Sequence, residues 1–263
     1  MTALLTIILP FFNEEGWIGA TIDSLVAQDD DRFRLLLVDN GSTDAGAAEA
    51  AVHGQPLGDR ATILPCPTPG KIQAMAHGLA HVETPLVAIC DADTHYPPEY
   101  VSRIIALFET DRAAAGVMAI DLNAPPADPA SRRRIAFILR KSRRFRGKCH
   151  AGGYAQAFRT DALRAAGGFD SRRWPYVLED HEIVHRITRH GTILYDPQHV
   201  CFPSNRRACR ASVSWTRAER LLYRYVPRAA LDWYFYRFLG RRLAARNSMG
   251  IALRRKDWSS TTA

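Results

Sequence analysis

Along the first half of the chain, apolar residues fall into short unbroken runs separated by stretches with helical spacing. Residues 4–9 form the first run. Ile18, Ile22, Leu25 and Val26 then recur at intervals that put them on one face of a helix. Further runs at 35–38, 62–64 and 86–90 read as strands, and 71–81 reads as a helix. A helix over 100–108 and a strand over 116–120 extend the alternation. Strands that are apolar throughout, with helices between them, imply an α/β fold whose mostly parallel sheet is covered on both faces.

The second half is more broken. A proline-rich loop at 124–129 precedes a basic helix at 132–146, and a glycine-rich turn, Ala151-Gly152-Gly153-Tyr154, leads into another strand. Gly167-Gly168-Phe169-Asp170 ends a short helix; a helix follows at 178–189 and a late strand at 192–195. From Trp215 onward the pattern is helical and rich in Arg and aromatic residues, with Pro227 as a break. There is no internal repeat.

Sheets of this kind bind ligands at the carboxyl ends of their strands, and Asn13, Asp39 and Asp91 all lie at such ends. The most pointed chemistry is Asp91-Ala92-Asp93, where the run 86–90 stops. Carboxylates at i and i+2 share one side of an extended strand. They can converge on a hard cation that keeps part of its coordination shell for substrate phosphates. The competing reading makes them caps of a helix starting around Pro97-Pro98. Asp39-Asn40-Gly41-Ser42-Thr43-Asp44 likewise reads as a turn leading into a capped helix.

Composition adds little, with 263 residues, 47% hydrophobic and 24% charged. Five cysteines without a CxxC pair point to a reduced, cytosolic chain in which the Asn40-Gly41-Ser42 sequon carries no glycan. The N-terminus reads as a first strand rather than a signal peptide, and no stretch is long and apolar enough to span a bilayer. Charge is more telling. The net +8 divides into 6 basic and 18 acidic groups over residues 1–131, 9 basic and none acidic over 132–148, and 14 basic against 3 acidic over 206–263. The acidic first half is unsuited to wrapping nucleic acid, and no specific nucleic-acid motif is present. The basic segments suit an anionic surface.

Taken in order, these pieces resemble the family 2 glycosyltransferases of GT-A fold. The matching residues are Ile8-Leu9-Pro10-Phe11-Phe12-Asn13-Glu14-Glu15, Val38 to Asp44, Gly70-Lys71, Asp91-Ala92-Asp93, Gly167-Gly168-Phe169-Asp170 and Glu179-Asp180. The resemblance implies a GT-A domain over 1–205, with a nucleotide-sugar half at 1–122 and an acceptor half at 123–205, and a basic helical extension at 206–263. It further implies that Pro10, Asn13, Glu14 and Asp39 hold the nucleotide, with Lys71 nearby and Asp91 on the ribose or sugar. Asp93 would ligate Mg²⁺ or Mn²⁺ on the diphosphate, and Asp180 would be the general base of an inverting transfer. Glu179, Arg206 and Arg207 are further candidates for contacts to diphosphate or acceptor. The implied donor is a nucleotide sugar, most often a UDP-sugar. The implied acceptor is a hydroxyl of a sugar or lipid-linked glycan, taking one sugar per encounter in surface polysaccharide or glycoconjugate synthesis. The sequence departs from the family pattern at His77, where Asn is frequent, and at Asn40, where a second Asp is common. The Gln-x-x-Arg-Trp signature of processive relatives is absent.

Three other readings compete. A polyprenyl-phosphate sugar synthase of the same fold is suggested by the stretch from Asp91 to Pro98. His181-Glu182-Ile183-Val184-His185 matches the H-E-x-x-H pattern of zinc proteases, but no third ligand follows at the required spacing. The Arg and aromatic residues of 206–263 suit either a helix packed on the core or a binding module peripheral on the inner face of the plasma membrane.

Overall fold

The computed structural model describes residues 2–207 and 215–255. Strands β1 (Leu5–Phe11), β2 (Phe33–Asp39), β3 (Ala61–Pro65) and β4 (Leu86–Cys90) alternate with helices α1 (Ile18–Val26), α2 (Gly46–Gly54) and α3 (Lys71–Ala80). Then come β5 (Thr94–His95), α4 (Tyr100–Thr110), β6 (Ala114–Asp121), α5 (Pro129–Arg144), β7 (Ala155–Arg159), α6 (Thr160–Ala165), α7 (Glu179–Ile187) and β8 (Thr192–Pro203). The C-terminal part holds α8 (Arg217–Tyr225), a π-helical stretch at Trp233–Leu239 running into α9 (Gly240–Ala245), and a 3-10 stretch at Gly250–Arg255.

The eight strands among the described residues form one sheet in the order β3-β2-β1-β4-β7-β6-β8-β5. The pairs β1–β2, β1–β4, β2–β3 and β6–β8 are parallel, whereas β7 runs antiparallel to both β4 and β6, and β5 antiparallel to β8. Apolar character alone does not encode direction, so the reversal at β7 has no signature in its five residues.

Alternation along β1 explains the layering. Leu5, Ile7 and Leu9 enter one core with Ile18 and Ile22 of α1 and Ile104 and Phe108 of α4. Ile8 enters the other, with Val38, with Ile72 and Met75 of α3, and with Ile183 and Val184 of α7. Each fully buried Leu or Ile contributes roughly 1.5–3 kcal/mol, so a strand buried on both faces ties two helical layers together. Helix α3 sits unusually close. A Cβ on Gly78 would lie 2.7 Å from Ile8 Cγ2 and 3.2 Å from Val38 Cγ2.

Strand β8 is three times the predicted length. Its apolar run is interrupted by Asp196-Pro197-Gln198, where the register against β6 jumps from Met118↔Tyr195 to Ile120↔Val200. A bulge of this kind accommodates a proline and lets the strand resume. The basic helix begins three residues earlier than expected because Asp128 caps it, accepting hydrogen bonds from the N–H groups of Ala130 (2.7 Å) and Ser131 (3.4 Å).

The aromatic C-terminal segment packs onto the body. Tyr223, Leu231, Tyr234, Phe235, Leu239 and Leu243 form a third core with Trp174 and Val177. Lys148 ties it down, donating to the carbonyls of Tyr223, Arg224 (3.0 Å) and Val226 (2.7 Å) at the carboxyl end of α8, where a cation suits the helix dipole. Tyr225 and Trp233 remain exposed. Among the described residues no helix is long and apolar enough to cross a membrane.

Gly78→Ala should destabilise the protein by about 1–3 kcal/mol through overpacking of α3 against β1. The midpoint of urea unfolding reads this out, and an unchanged midpoint would contradict the close packing.

Candidate active site

The carboxyl ends of β1, β2 and β4 lie side by side, and the loops leaving them are cross-linked. Asn13 takes a left-handed backbone, φ +53°. Its N–H donates to Ser42 Oγ (3.1 Å) and its Oδ1 accepts from the Thr43 N–H (2.8 Å). Asp39 Oδ1 accepts from the Ser42 N–H, three residues on, at 2.9 Å and so braces the turn after β2. Asp44 receives the Glu15 N–H at 2.9 Å. Asn13 and Asp39 thus build the cleft edge through backbone contacts. Pro10 is buried inside β1 opposite Val38.

Asn40 explains itself in three dimensions. Its Oδ1 accepts from the Gly70 N–H (2.6 Å) and its Nδ2 donates to the Thr68 carbonyl (2.8 Å), securing the proline-rich loop before α3. An Asp here could make the first bond but not the second. Gly70, at φ +125°, then turns the chain into α3, whose first residue is Lys71.

The acidic triplet lies past the end of β4, in a turn rather than on the strand. Its backbone is fixed at every residue. The Asp91 N–H donates to Tyr96 Oη (2.9 Å), the Ala92 carbonyl accepts from Thr21 Oγ1 (2.9 Å), and the Asp93 carbonyl accepts from the Ser204 N–H (2.9 Å). Tyr96 is fully buried and also donates its hydroxyl to the Tyr154 carbonyl at 2.6 Å. One phenol therefore joins the start of the triplet to the turn before β7. No sequence pattern distinguishes Tyr96 or Thr21 from ordinary core residues.

The two carboxylates meet different cations. Asp91 Oδ1 is 2.6 Å from Lys71 Nζ, which is also 3.8 Å from Glu179 Oε1. Asp93 Oδ2 is 2.9 Å from Arg206 Nε, and Arg206 also pairs with Glu14. The Arg206 guanidinium stands 4.7 Å from the centroid of the Trp17 ring. The side chains of Asp93 and Glu14 are only 9% and 6% exposed. Arg207, the other half of the expected pair, has a side chain outside the described residues.

Glu179 and Asp180 open α7 behind Leu178, whose backbone is left-handed at φ +68°. For a branched residue this is strained, and such strain concentrates at functional sites. The turn before β7 touches this helix start. A Cβ on Gly153 would lie 3.2 Å from Asp180 Cβ and 3.9 Å from Lys71 Nζ, so the absence of a side chain lets the acid and the lysine approach one another. Burial pushes the Glu179 carboxyl above its usual range against the opposing pull of Lys71, and the Asp180 charge adds to the rise.

The H-E-x-x-H residues have other work. His181 packs on the rings of Trp215 and Tyr223, His185 Nε2 bonds Asp232 at 2.8 Å, and buried Glu182 binds Arg186 at 2.8 Å through both oxygens and accepts from Tyr236 at 2.5 Å. These contacts join α7 to the C-terminal segment.

The family profile described as Glycosyl transferase family 2 matches residues 6–167, and the chain belongs to that family. An uncharacterized glycosyltransferase of Mycobacterium tuberculosis is 35% identical over 109 residues, covering 41% of this chain and 44% of the relative. An undecaprenyl-phosphate 4-deoxy-4-formamido-L-arabinose transferase of Sodalis glossinidius is 30% identical over 117 residues, 43% of this chain and 36% of the relative. The chain thus spans less than half the length of these curated relatives. Among solved structures, the mannosyltransferase PcManGT of Pyrobaculum calidifontis, in complex with GDP-Man and Mn²⁺, superposes with a TM-score of 0.68 at 19% identity, over 100% of this chain and 77% of that one. TarS of S. aureus gives 0.63 at 17% identity, over 97% of this chain and 76% of that one. The fold is accordingly GT-A.

Tyr96→Phe removes the hydroxyl that serves both the Asp91 N–H and the Tyr154 carbonyl. A stability loss of about 1–3 kcal/mol is expected, measurable by chemical unfolding. Unchanged stability would show that the phenol is not the joint.

Proposed function

We propose that this family 2 member transfers a sugar from a nucleoside-diphosphate donor to a hydroxyl of a sugar or lipid-linked glycan, in one inverting displacement per encounter. The observation that carries this reading is the convergence of Asp91, Lys71, Glu179 and Asp180 from three separate segments around Gly153. The donor lies along the ends of β1, β2 and β4, with its nucleoside end against Asn13, Glu14 and Asp39 and its sugar end toward Asp91. Its nucleotide is most often uridine in this family, while the neighbour PcManGT was solved with GDP-Man.

The acids suit Mg²⁺ or Mn²⁺ in kind, since oxygen ligands match hard divalent ions. Among the described residues no cluster of three or more acidic, His or Cys side chains is placed to hold an ion alone. Asp93 would share the ion with the donor diphosphate. Once bound, such an ion stabilises the charge that grows on the departing diphosphate. Lys71 and Arg206 add fixed positive charge at the same edge.

Asp180 accepts the proton of the attacking hydroxyl. Its position at the helix start, beside the Gly153 turn and near Lys71, supports that role. Attack on the face opposite the leaving group inverts the anomeric carbon. The exposed Tyr225, Trp233 and Leu221 among the C-terminal Arg residues support contact with an anionic membrane surface carrying a lipid-linked acceptor.

Thermal unfolding in the presence of UDP, GDP and dTDP, with and without Mn²⁺, should show a rise in Tm for one nucleotide that depends on the metal. No metal-dependent rise with any of them would overturn the donor assignment. Asp180→Asn should lower kcat by about 10²–10⁴-fold while leaving the nucleotide-induced Tm rise intact. A mild effect would instead favour a phosphate nucleophile, which needs no base.

A further inference from the structure

On the far side of Asp180 the chain builds a second concave surface. A cleft of about 320 Å³ takes Arg134, Lys141, Lys148, Arg220 and Arg224 into its walls and, among the described residues, no carboxylate. Gly152, Tyr154 and His181 complete it; these are the immediate neighbours of Gly153 and Asp180. The turn at 152–154 therefore stands between this cleft and the Lys71–Asp91 pair.

The charge is not compensated from within. Arg134 is answered by Asp121 at 2.6 and 2.8 Å, and Lys148 is committed to the carbonyls ending α8. Lys141, Arg220 and Arg224 instead stand over rings, 5.8 Å from Phe137, 5.9 Å from Trp215 and 5.8 Å from Phe145. Burial, together with the positive charges of Arg224 and Arg134, holds the Lys141 ammonium below its ordinary value. A bound anion relieves such crowding. His150, also in the wall and 8% exposed, gives Nε2–H to the Phe145 carbonyl at 3.1 Å. That leaves Nδ1 as a buried acceptor without a partner, suited to a ligand O–H.

The two helices that supply these cations also expose apolar side chains, Phe137 on α5 and Leu221 and Tyr225 on α8, and Phe145 beyond α5 meets Tyr225 edge to face at 5.8 Å. Two guanidinium forks and an ammonium match the charge and geometry of a phosphoryl group better than a single carboxylate. We infer that this cleft binds the phosphoryl group of an amphiphilic acceptor, holding it beside Asp180 while the donor occupies the opposite side of the turn. The inference rests on the glycosyl-transfer reading for the identity of the ligand as acceptor, but the cleft's affinity for phosphate can be measured separately.

Calorimetric titration of the full chain with geranyl phosphate and with inorganic phosphate, after saturation with Mn²⁺ and the best-binding nucleoside diphosphate, tests it. The donor site is then filled, so any further heat reports the cleft. Arg220→Gln/Arg224→Gln, on α8, and Lys141→Met, on α5, should each weaken geranyl phosphate binding by about tenfold or more with nucleotide affinity unchanged. Tighter binding of geranyl phosphate than of inorganic phosphate identifies a lipid-borne group; equal binding identifies the phosphoryl group alone. No binding of either ligand, or wild-type affinity in both variants, overturns the cleft assignment. A repeat titration without nucleotide keeps this outcome distinct from failure of the donor site itself.

Discussion

Carboxylates crowded at one edge of a sheet repel one another, and the fold must answer each of them. Glu14, Asp39, Asp91, Asp93, Glu179 and Asp180 come from four segments far apart in sequence. Each is met by a cation or an N–H group: Arg206 for Glu14 and Asp93, the Ser42 N–H for Asp39, Lys71 for Asp91 and Glu179, and the His181 N–H for Asp180 at 2.9 Å. The donors are as widely spread as the acids. A site of this composition therefore forms only when the sheet, the loop before α3, the start of α7 and the end of β8 are all in place.

The backbone makes that assembly stiff. The acidic triplet is held at each of its three residues by a different element, and the buried Tyr96 hydroxyl extends the clamp to the turn before β7. Beneath it, Tyr96 lies 4.7 Å from Tyr100, which stacks on His199 at 4.9 Å. Burial holds that imidazole down at about 3, so it remains uncharged near neutral pH. A charged group there would sit directly under the acids' support; a neutral ring packs without disturbing it.

Much of this was legible in the chain. Unbroken apolar runs marked the buried strands, and the residues following them marked the cleft. What was hidden depends on pairing across long separations. Nothing in the five residues of β7 shows that it runs against its neighbours, because the direction is set by what lies on either side. Asp196-Pro197 broke the apolar pattern of β8 before the bulge could be foreseen. Thr94 and His95 are a strand only because Pro203 and Phe202 lie opposite them. Asn40 departs from the common pattern, but the reason is a carbonyl and an N–H about thirty residues downstream. Arg206 offered no more than a basic pair in the sequence, and its place between Glu14 and Asp93 comes from folding β8 back beside the triplet.

The strength of these pairs bears on how the site works. Lys71 is more than a third exposed, and ion pairs open to water contribute only about 0.2–1 kcal/mol. The Lys71–Asp91 contact is thus weak enough to rearrange when a charged donor arrives. Arg206 is different. It is largely shielded, shared between two acids that are themselves almost buried, and backed by the Trp17 ring. Removing one partner from a buried ion pair costs about 3–5 kcal/mol, most of it from the charge left behind. On the proposed reading, Asp93 can turn toward a divalent ion without that penalty, because the incoming ion replaces the positive charge it gives up and Glu14 retains the guanidinium. The acid of the triplet assigned to the metal is thereby one whose present partner, though shielded from water, has a second carboxylate to keep.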